Sequence, residues 1–348
     1  MRAAVFHGPG NMRVEEYPVP ECPPGGALVK LCGSLICGTD TKIYKSGHPK
    51  ITPPQIIGHE SCGTIVEIRA GESDLKAGDR VTVQTSISCG KCHMCQQGIF
   101  NLCVDITAIS WKYPGTFAEY VAIPAEAMVL GNLVGAPENL PDADVCLAEP
   151  LACVLNGQEL LNIRPGESVL VIGAGPIGIL HAELARVIGA GKVFLSEKSE
   201  KRIAAAQPFG YDAVIDTGKQ PLLEAVRELT GGRGTDVTIV TAPVRAAQEE
   251  APATLAPRGR LSLFGSLPAD GSAFPIDSRL IHYKELTVVG ASSSTARQMK
   301  TALNLLATGR LKTRDIITHT LPLDEIVRGL EMASNGDALK VYLKNAGA

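Results

Sequence analysis

The sequence predicts an α/β protein of two domains, the second a doubly wound parallel sheet, and three observations carry that prediction. At 348 residues, and roughly 150 residues per domain, the chain is long enough for two cores. Residues 1 to about 150 are dense in Gly and Pro, with short apolar or alternating runs between them. From Ser168 the texture becomes a regular alternation of β-branched runs and helix-like stretches, the pattern of a parallel sheet covered on both faces.

In the first segment, Ala27 to Leu31, Gly63 to Ile68, Arg80 to Val83 and Ala118 to Ile123 read as strands joined by turns. In the second, the runs Val169 to Ile172, Val193 to Leu195, Ala213 to Ile215, Val237 to Val240, Leu261 to Phe264 and Leu286 to Val289 are the expected strands, and Ile177 to Ile188 is the expected first helix. Six such strands match two mononucleotide-binding halves. Ala296 to Ala307 then reads as an amphipathic helix with Met299, Leu303 and Leu306 on one stripe. The last forty residues return to mixed helix and strand and are expected to pack on the first domain.

Charge and composition exclude several classes. Lys and Arg number 33 against 36 Asp and Glu, a formal net charge of -3, with no block of like charges, so no nucleic acid partner is expected. No apolar run approaches the ~18 residues of a membrane span, and the start MRAAVFHGPG lacks the apolar core of a secretory signal. The expectation is a cytoplasmic protein with no membrane partner.

The segment SVLVIGAGPIGILHAELARVIG sets Gly173, Gly175 and Gly178 in the G-x-G-x-x-G spacing between a strand and a helix. The first glycine permits the tight turn, the second lets backbone approach a pyrophosphate, and the third allows close helix-to-strand packing. With Pro176 and Ile177 these residues form the expected dinucleotide cradle at a helix N-terminus. Glu197 ends the run KVFLSE, where a carboxylate accepts hydrogen bonds from the adenosine ribose and repels a 2'-phosphate. NAD is therefore expected over NADP. Lys198 and Arg202 nearby are cations that tolerate a phosphate, and Arg202 is expected at the ribose.

The ten cysteines are unevenly spread, with four of them in CGKCHMCQQGIFNLC. Cys89, Cys92, Cys95 and Cys103 fall in a C-x2-C-x2-C-x7-C spacing, which in a reducing compartment points to metal rather than to disulfides. Four thiolates close a tetrahedron around Zn2+ and leave no open position, so the site reads as structural; an iron–sulfur cluster is the rival. A second, scattered set comprises Cys37 in LICGTD, His59 and Glu60 in IIGHE, and Glu149 in LAEPLA. A thiolate, an imidazole and carboxylates suit a zinc that keeps a position open. Singly, each has a plain reading as a buried thiol, a core histidine or an ordinary acid.

The ordered motifs GHE, GDRV, the four-cysteine lobe, GTFAEY, EP and GAGPIG resemble the zinc-containing medium-chain dehydrogenases, and are most similar to the sorbitol and threonine dehydrogenase branch. The resemblance covers essentially the whole chain. It implies a GroES-like β-barrel catalytic domain (1–155 and 293–348) interrupted by a Rossmann NAD-binding domain (156–292), with the active site in the cleft between them. It further implies two Zn2+ per chain, a homodimer or homotetramer, and Cys37, His59 and Glu60 as catalytic zinc ligands, with Glu149 a ligand directly or through water.

By that resemblance a small-molecule secondary alcohol, polyol or sugar-related, is oxidised to a ketone by hydride transfer to the nicotinamide. A threonine-type amino alcohol is the rival substrate, and a non-catalytic nucleotide-sensing relative the rival role. Thr39 matches the hydroxyl that begins the family's proton relay, but Lys42 stands where a histidine often follows, and a lysine of ordinary pKa is a poor proton acceptor at neutral pH. The Arg-Tyr pair of polyol dehydrogenases is absent from GASSST, Gly290 to Thr295. Ser292, Ser293 and Ser294 are there instead, to contact substrate or line the nicotinamide pocket. Trp111, the single tryptophan, either walls the pocket or simply packs.

Overall fold

The computed structural model describes residues 1–71, 73–267, 273 and 275–346. Two compact units are present. One is built from Met1–Ala152, Ser293–Gly309 and the chain from Thr313 onward, and the other from Cys153–Ser292 with Arg310–Lys312.

The first unit is organised on the strand Ala27–Leu35, nine residues long and mostly buried. It pairs antiparallel with Glu60–Ile68, Tyr120–Ile123 and Lys340–Lys344. The register sets Leu35 opposite both Glu60 and Tyr342. Three chain segments distant in sequence therefore meet at one end of the sheet, where Cys37, Glu60 and Lys340 lie. Two cores support it. One gathers Phe6, Ile36, Ile43, Ile57, Phe117 and Val341, and the other Val29, Leu31, Ile65, Val81 and Val121.

The second unit is the expected doubly wound sheet. Its six strands run in the order Ala213–Asp216, Lys192–Glu197, Ser168–Ile172, Thr235–Val240, Leu255–Leu263, Thr287–Gly290, every pair parallel. The order reverses beside Ser168–Ile172, which feeds the helix Pro176–Ile188. One strand is longer than its sequence run, beginning at Leu255 rather than Leu261. The strand crosses Pro257-Arg258-Gly259 through an irregular register, with Arg258 at φ 61. Among the described residues no helix is long and apolar enough to cross a membrane.

The glycine loop explains its own composition. Gly173 sits at φ +107, and a Cβ on Gly178 would lie 1.9 Å from the Gly173 carbonyl oxygen, whereas one on Gly175 would meet nothing within 4 Å. Gly178 is thus needed for packing, and Gly175 leaves space facing the loop. Gly178→Ala is expected to destabilise the protein by about 1–3 kcal/mol through overpacking, read as a lowered thermal midpoint. Gly175→Ala should leave that midpoint unchanged.

Candidate metal centres and cofactor loop

The four-cysteine lobe is held by short local elements. Cys89 follows the strand Ser86–Ile87, which pairs with Thr107–Ala108. Cys95 is carried by the helix His93–Gln96, and a helical turn at Phe100–Leu102 delivers Cys103. The four sulfurs all lie within 4.8 Å of one another, with Cys92 3.5 Å from Cys95 and 3.9 Å from Cys103. A tetrahedron with sulfurs ~2.3 Å from a central zinc has edges of about 3.8 Å. The donors therefore fit that ion.

The surroundings favour thiolates. Backbone N–H groups of Cys95 and Val104 bring Cys92 down to about 6, and those of Lys91 and Cys92 lower Cys89. Burial and its sulfur neighbours push the Cys95 thiol up, and a cation among the sulfurs favours its thiolate.

The second site assembles from separate elements. Cys37 caps the N-terminus of the helix Gly38–Ser46 in a capping box with Asp40; the Asp40 Oδ2 accepts from the Cys37 N–H at 2.8 Å. His59 follows Gly58, which adopts φ +97 and where a Cβ would come within 2.7 Å of the Phe117 ring, so no larger residue is admitted there. The ligand atoms of Cys37, His59 and Glu60 lie within 4.8 Å of one another. Glu149, in the first turn of the helix Ala148–Leu161, stands outside that group.

Two residues at this site are not among those the sequence singles out. Asp40, wholly buried, places Oδ1 3.3 Å from His59 Nδ1, the arrangement that orients an imidazole to ligate through Nε2. Burial opposes charge on His59, but Asp40 and Cys37 overcome it and hold the imidazole well above its usual range, so metal binding there displaces a proton. Lys340 sets its ammonium 2.5 Å from both Glu60 oxygens and 3.2 Å from the Ile36 carbonyl. Burial works against its charge too, yet the Glu60 carboxylate and the Cys37 sulfur keep it above the usual lysine range. Asp40 is signalled by its place three residues after Cys37, a capping pattern. Lys340, 280 residues from Glu60, has no local signal.

Glu197 is fixed beside the glycine loop. Its Oε2 accepts from the Ala174 N–H at 2.9 Å, and its Oε1 from Lys198 and Ser199 at 2.8 and 3.0 Å. Arg202 approaches Oε2 at 3.9 Å. Gly175 caps the helix with Pro176 in its first turn, leaving unsatisfied N–H groups there for an anion.

Thr39 and Lys42 are both exposed on the helix after Cys37. Ser294 is buried and accepts from Gln84 Nε2 at 2.7 Å, and Ser293 meets Ser86 at 3.0 Å, so both hydroxyls are tied into the first unit. The Ser292 carbonyl accepts from Asn156 at 3.3 Å. Trp111 stacks on His48 at 5.3 Å and has the Lys50 ammonium 4.7 Å above its ring.

Known proteins share this architecture. The alcohol dehydrogenase GroES-like domain matches residues 23–132 and the zinc-binding dehydrogenase domain residues 176–308. The chain is 36% identical over 334 residues to L-threonine 3-dehydrogenase of Pyrococcus furiosus, covering 94% of this chain and 93% of that one. It is 32% identical to sorbitol dehydrogenase of Halalkalibacterium halodurans, covering 97% and 96%. A solved structure from Sinorhizobium meliloti 1021, described as a zinc-binding dehydrogenase bound to NADP, superposes with TM-score 0.89 at 32% identity, covering 99% and 98%.

Lys340→Met leaves the Glu60 carboxylate buried without its counter-charge, so a loss of about 3–5 kcal/mol in stability is expected. Lys340→Arg, which keeps the charge, should recover a substantial part of it. Thermal denaturation of the two variants checks this, and equal destabilisation would show that packing rather than charge is decisive.

Proposed function

The chain belongs to the zinc-binding dehydrogenases with a GroES-like domain, and from that premise we propose that it oxidises a secondary alcohol, polyol or sugar-related, to the ketone. The acceptor is NAD, and zinc is held by Cys37, His59 and Glu60. The observation carrying this reading is the convergence of a thiol, an imidazole and a carboxylate within 4.8 Å, with Asp40 on the far nitrogen of His59. This is a donor set for a zinc with an open position, unlike the closed four-cysteine set assigned to the structural zinc.

Bound at the first set, zinc supplies Lewis acidity toward the substrate oxygen. The chain's own residues do the rest. Asp40 fixes the ring of His59, and Lys340 offsets the charge of Glu60 from behind while the carboxylate keeps further lone pairs. Glu149 is assigned a supporting place, through water. Thr39 is assigned the alcohol proton, and its exposure supports a short exit to solvent without Lys42. The backbone of Gly173, Gly175, Pro176, Ile177 and Gly178 takes the pyrophosphate, and Glu197 the ribose hydroxyls with Arg202 alongside.

NAD rests on Glu197, whose carboxylate is fixed where a 2'-phosphate would sit; the Sinorhizobium relative is bound to NADP. Oxidation of an L-threonine-type amino alcohol is the second reading, favoured by the identity to the Pyrococcus enzyme. The thiolate ligands that both assigned zinc sites need are kept reduced in the cytosol, which supports a cytoplasmic setting, and a homodimer or homotetramer is the assembly assigned.

A panel of polyols, simple secondary alcohols and L-threonine, followed at the NADH absorbance band, tests the reading; metal-replete protein silent across the panel would overturn it. Metal analysis should find two zinc ions per chain, as the two ligand sets require. Cys37→Ser should abolish turnover with the thermal midpoint retained, whereas Cys95→Ser should lower the midpoint sharply. Glu197→Ala should weaken NAD more than NADP, and an unchanged preference would remove Glu197 from the ribose.

A further inference from the structure

A third group of ligand-type side chains lies in the first unit, apart from both assigned zinc sites. The sulfurs of Cys32 and Cys62 and a carboxylate oxygen of Asp142 lie within 4.8 Å of one another. The strand pairing explains the meeting. Leu31 pairs with Gly63 and Gly33 with Cys62, so the register slips at Cys32, which lies in the irregularity between those two pairs. Two residues, Cys32 and Gly33, then face one, Cys62.

The irregularity is built in by Gly33. A Cβ there would lie 2.3 Å from the Leu343 carbonyl and 2.6 Å from the Tyr342 ring, so no other residue fits beneath the neighbouring strand. Cys62 is fully buried and Cys32 half-buried, which gives the pair one accessible sulfur and one protected sulfur.

Arg80 decides what the group can do. Its Nε and Nη2 donate to Asp142 Oδ1 at 3.0 and 2.5 Å, and its Nη1 to the Pro137 carbonyl at 2.8 Å. Cys62 also points its thiol at that same Oδ1, 3.6 Å away. The carboxylate is thus neutralised by a fixed guanidinium, and a second cation would bind against that charge. Two sulfurs beside a cation, on neighbouring strands, suit a different chemistry. Opposed antiparallel residues have Cα separations of about 4.5–5.5 Å, inside the range a disulfide spans.

We propose that Cys32 and Cys62 are a redox-active pair that closes a cross-strand disulfide when the protein meets a hydroperoxide. The Cys32 sulfur attacks the peroxide oxygen, breaking the O–O bond, releasing an alcohol or water and becoming a sulfenic acid. The Cys62 thiol then attacks that sulfur, expelling water and forming the S–S bond. Two thiols lose two electrons and two protons, and the peroxide is reduced. Small-molecule thiols reverse the bond by exchange through Cys32, the accessible sulfur. Hydrogen bonding from Cys62, aided by Arg80, lowers the Cys32 thiol, in keeping with its place as the attacking group. The bond would tie together the two strands that lead to Cys37 and from Glu60.

The test is non-reducing peptide mapping of the zinc-loaded protein after hydrogen peroxide. The expected product joins the peptide containing Leu31–Lys42 to that containing Ile51–Arg69, two hydrogens lighter, with fragmentation placing the bond at Cys32 rather than Cys37, and a reductant restoring both thiols. Cys62→Ser should instead accumulate a sulfenic acid at Cys32, trapped by dimedone. A bond from Cys37 or Cys146, or sulfinic acid at Cys32 without a cross-link in the wild-type chain, would overturn the pairing. A third zinc per chain that shields these thiols from peroxide would show a metal site in its place. The mapping is read on the wild-type chain, so it stands even if a variant fails to fold.

Discussion

The ion pair between Lys340 and Glu60 is the constraint around which the first unit is arranged. Both groups are essentially without solvent, at 2% and 0% exposure. Isolated charges in such a place are costly by several kcal/mol each, and the cost is offset only when geometry is good and spare hydrogen-bonding capacity is satisfied. Here the ammonium reaches both carboxylate oxygens and the Ile36 carbonyl. That contact pins the strand Lys340–Lys344 to the start of the strand Glu60–Ile68 and to the backbone one residue before Cys37. Any slip of the Lys340–Lys344 strand against Ala27–Leu35 breaks it, so one electrostatic contact specifies the register that brings the donor atoms together.

The two proposed metal sites would solve opposite problems. The four-cysteine lobe is local: its donors lie in fifteen residues of chain, and its loops are short. A metal bound there would organise the polypeptide. At Cys37, His59 and Glu60 the polypeptide organises the donors instead. A capping box orients Cys37, a glycine at positive φ turns His59 into place, and a buried carboxylate and a buried ammonium hold the ring and the acid from behind. A donor set held by its own surroundings keeps its shape while substrate comes and goes, which a reactive centre requires and a structural one does not.

This difference also sets how much is legible in the sequence. Local spacing is visible in one dimension, so the four-cysteine lobe, the glycine loop and the strand-helix alternation of the second unit can be read with their boundaries within a few residues. Cys37, His59 and Glu60 can be listed as zinc-type donors from their chemistry, but only the family resemblance joins them, because nothing in the spacing of LICGTD and IIGHE says that they meet. Asp40 is within reach of sequence reasoning, as a cap three residues after Cys37. Lys340 is not, since KVYLK is an ordinary strand with a basic residue and its partner is settled by sheet register alone. The strand Leu255–Leu263 reads short for the complementary reason: a Pro and a Gly signal a turn, and only tertiary pairing carries the strand across them. Cys32 and Cys62 carry no sequence signal, because the slip in register that brings them together leaves no periodic trace.

Glu197 shows how one carboxylate serves two purposes. Three backbone N–H groups, from Ala174, Lys198 and Ser199, hold its oxygens, so its position is fixed before any cofactor arrives, and little conformational freedom is left to lose on binding. The same bonds link the end of the second strand to the turn after the first, so the carboxylate is part of the loop's own structure. In the proposed ribose site it would meet an incoming 2'-phosphate as charge against charge. Arg202, 3.9 Å away, offsets that repulsion in part. Under the proposed assignment, discrimination between the two dinucleotides would depend on the balance between a fixed acid and a half-buried base. Replacing Arg202 would alter that balance while leaving the three backbone hydrogen bonds of Glu197 in place.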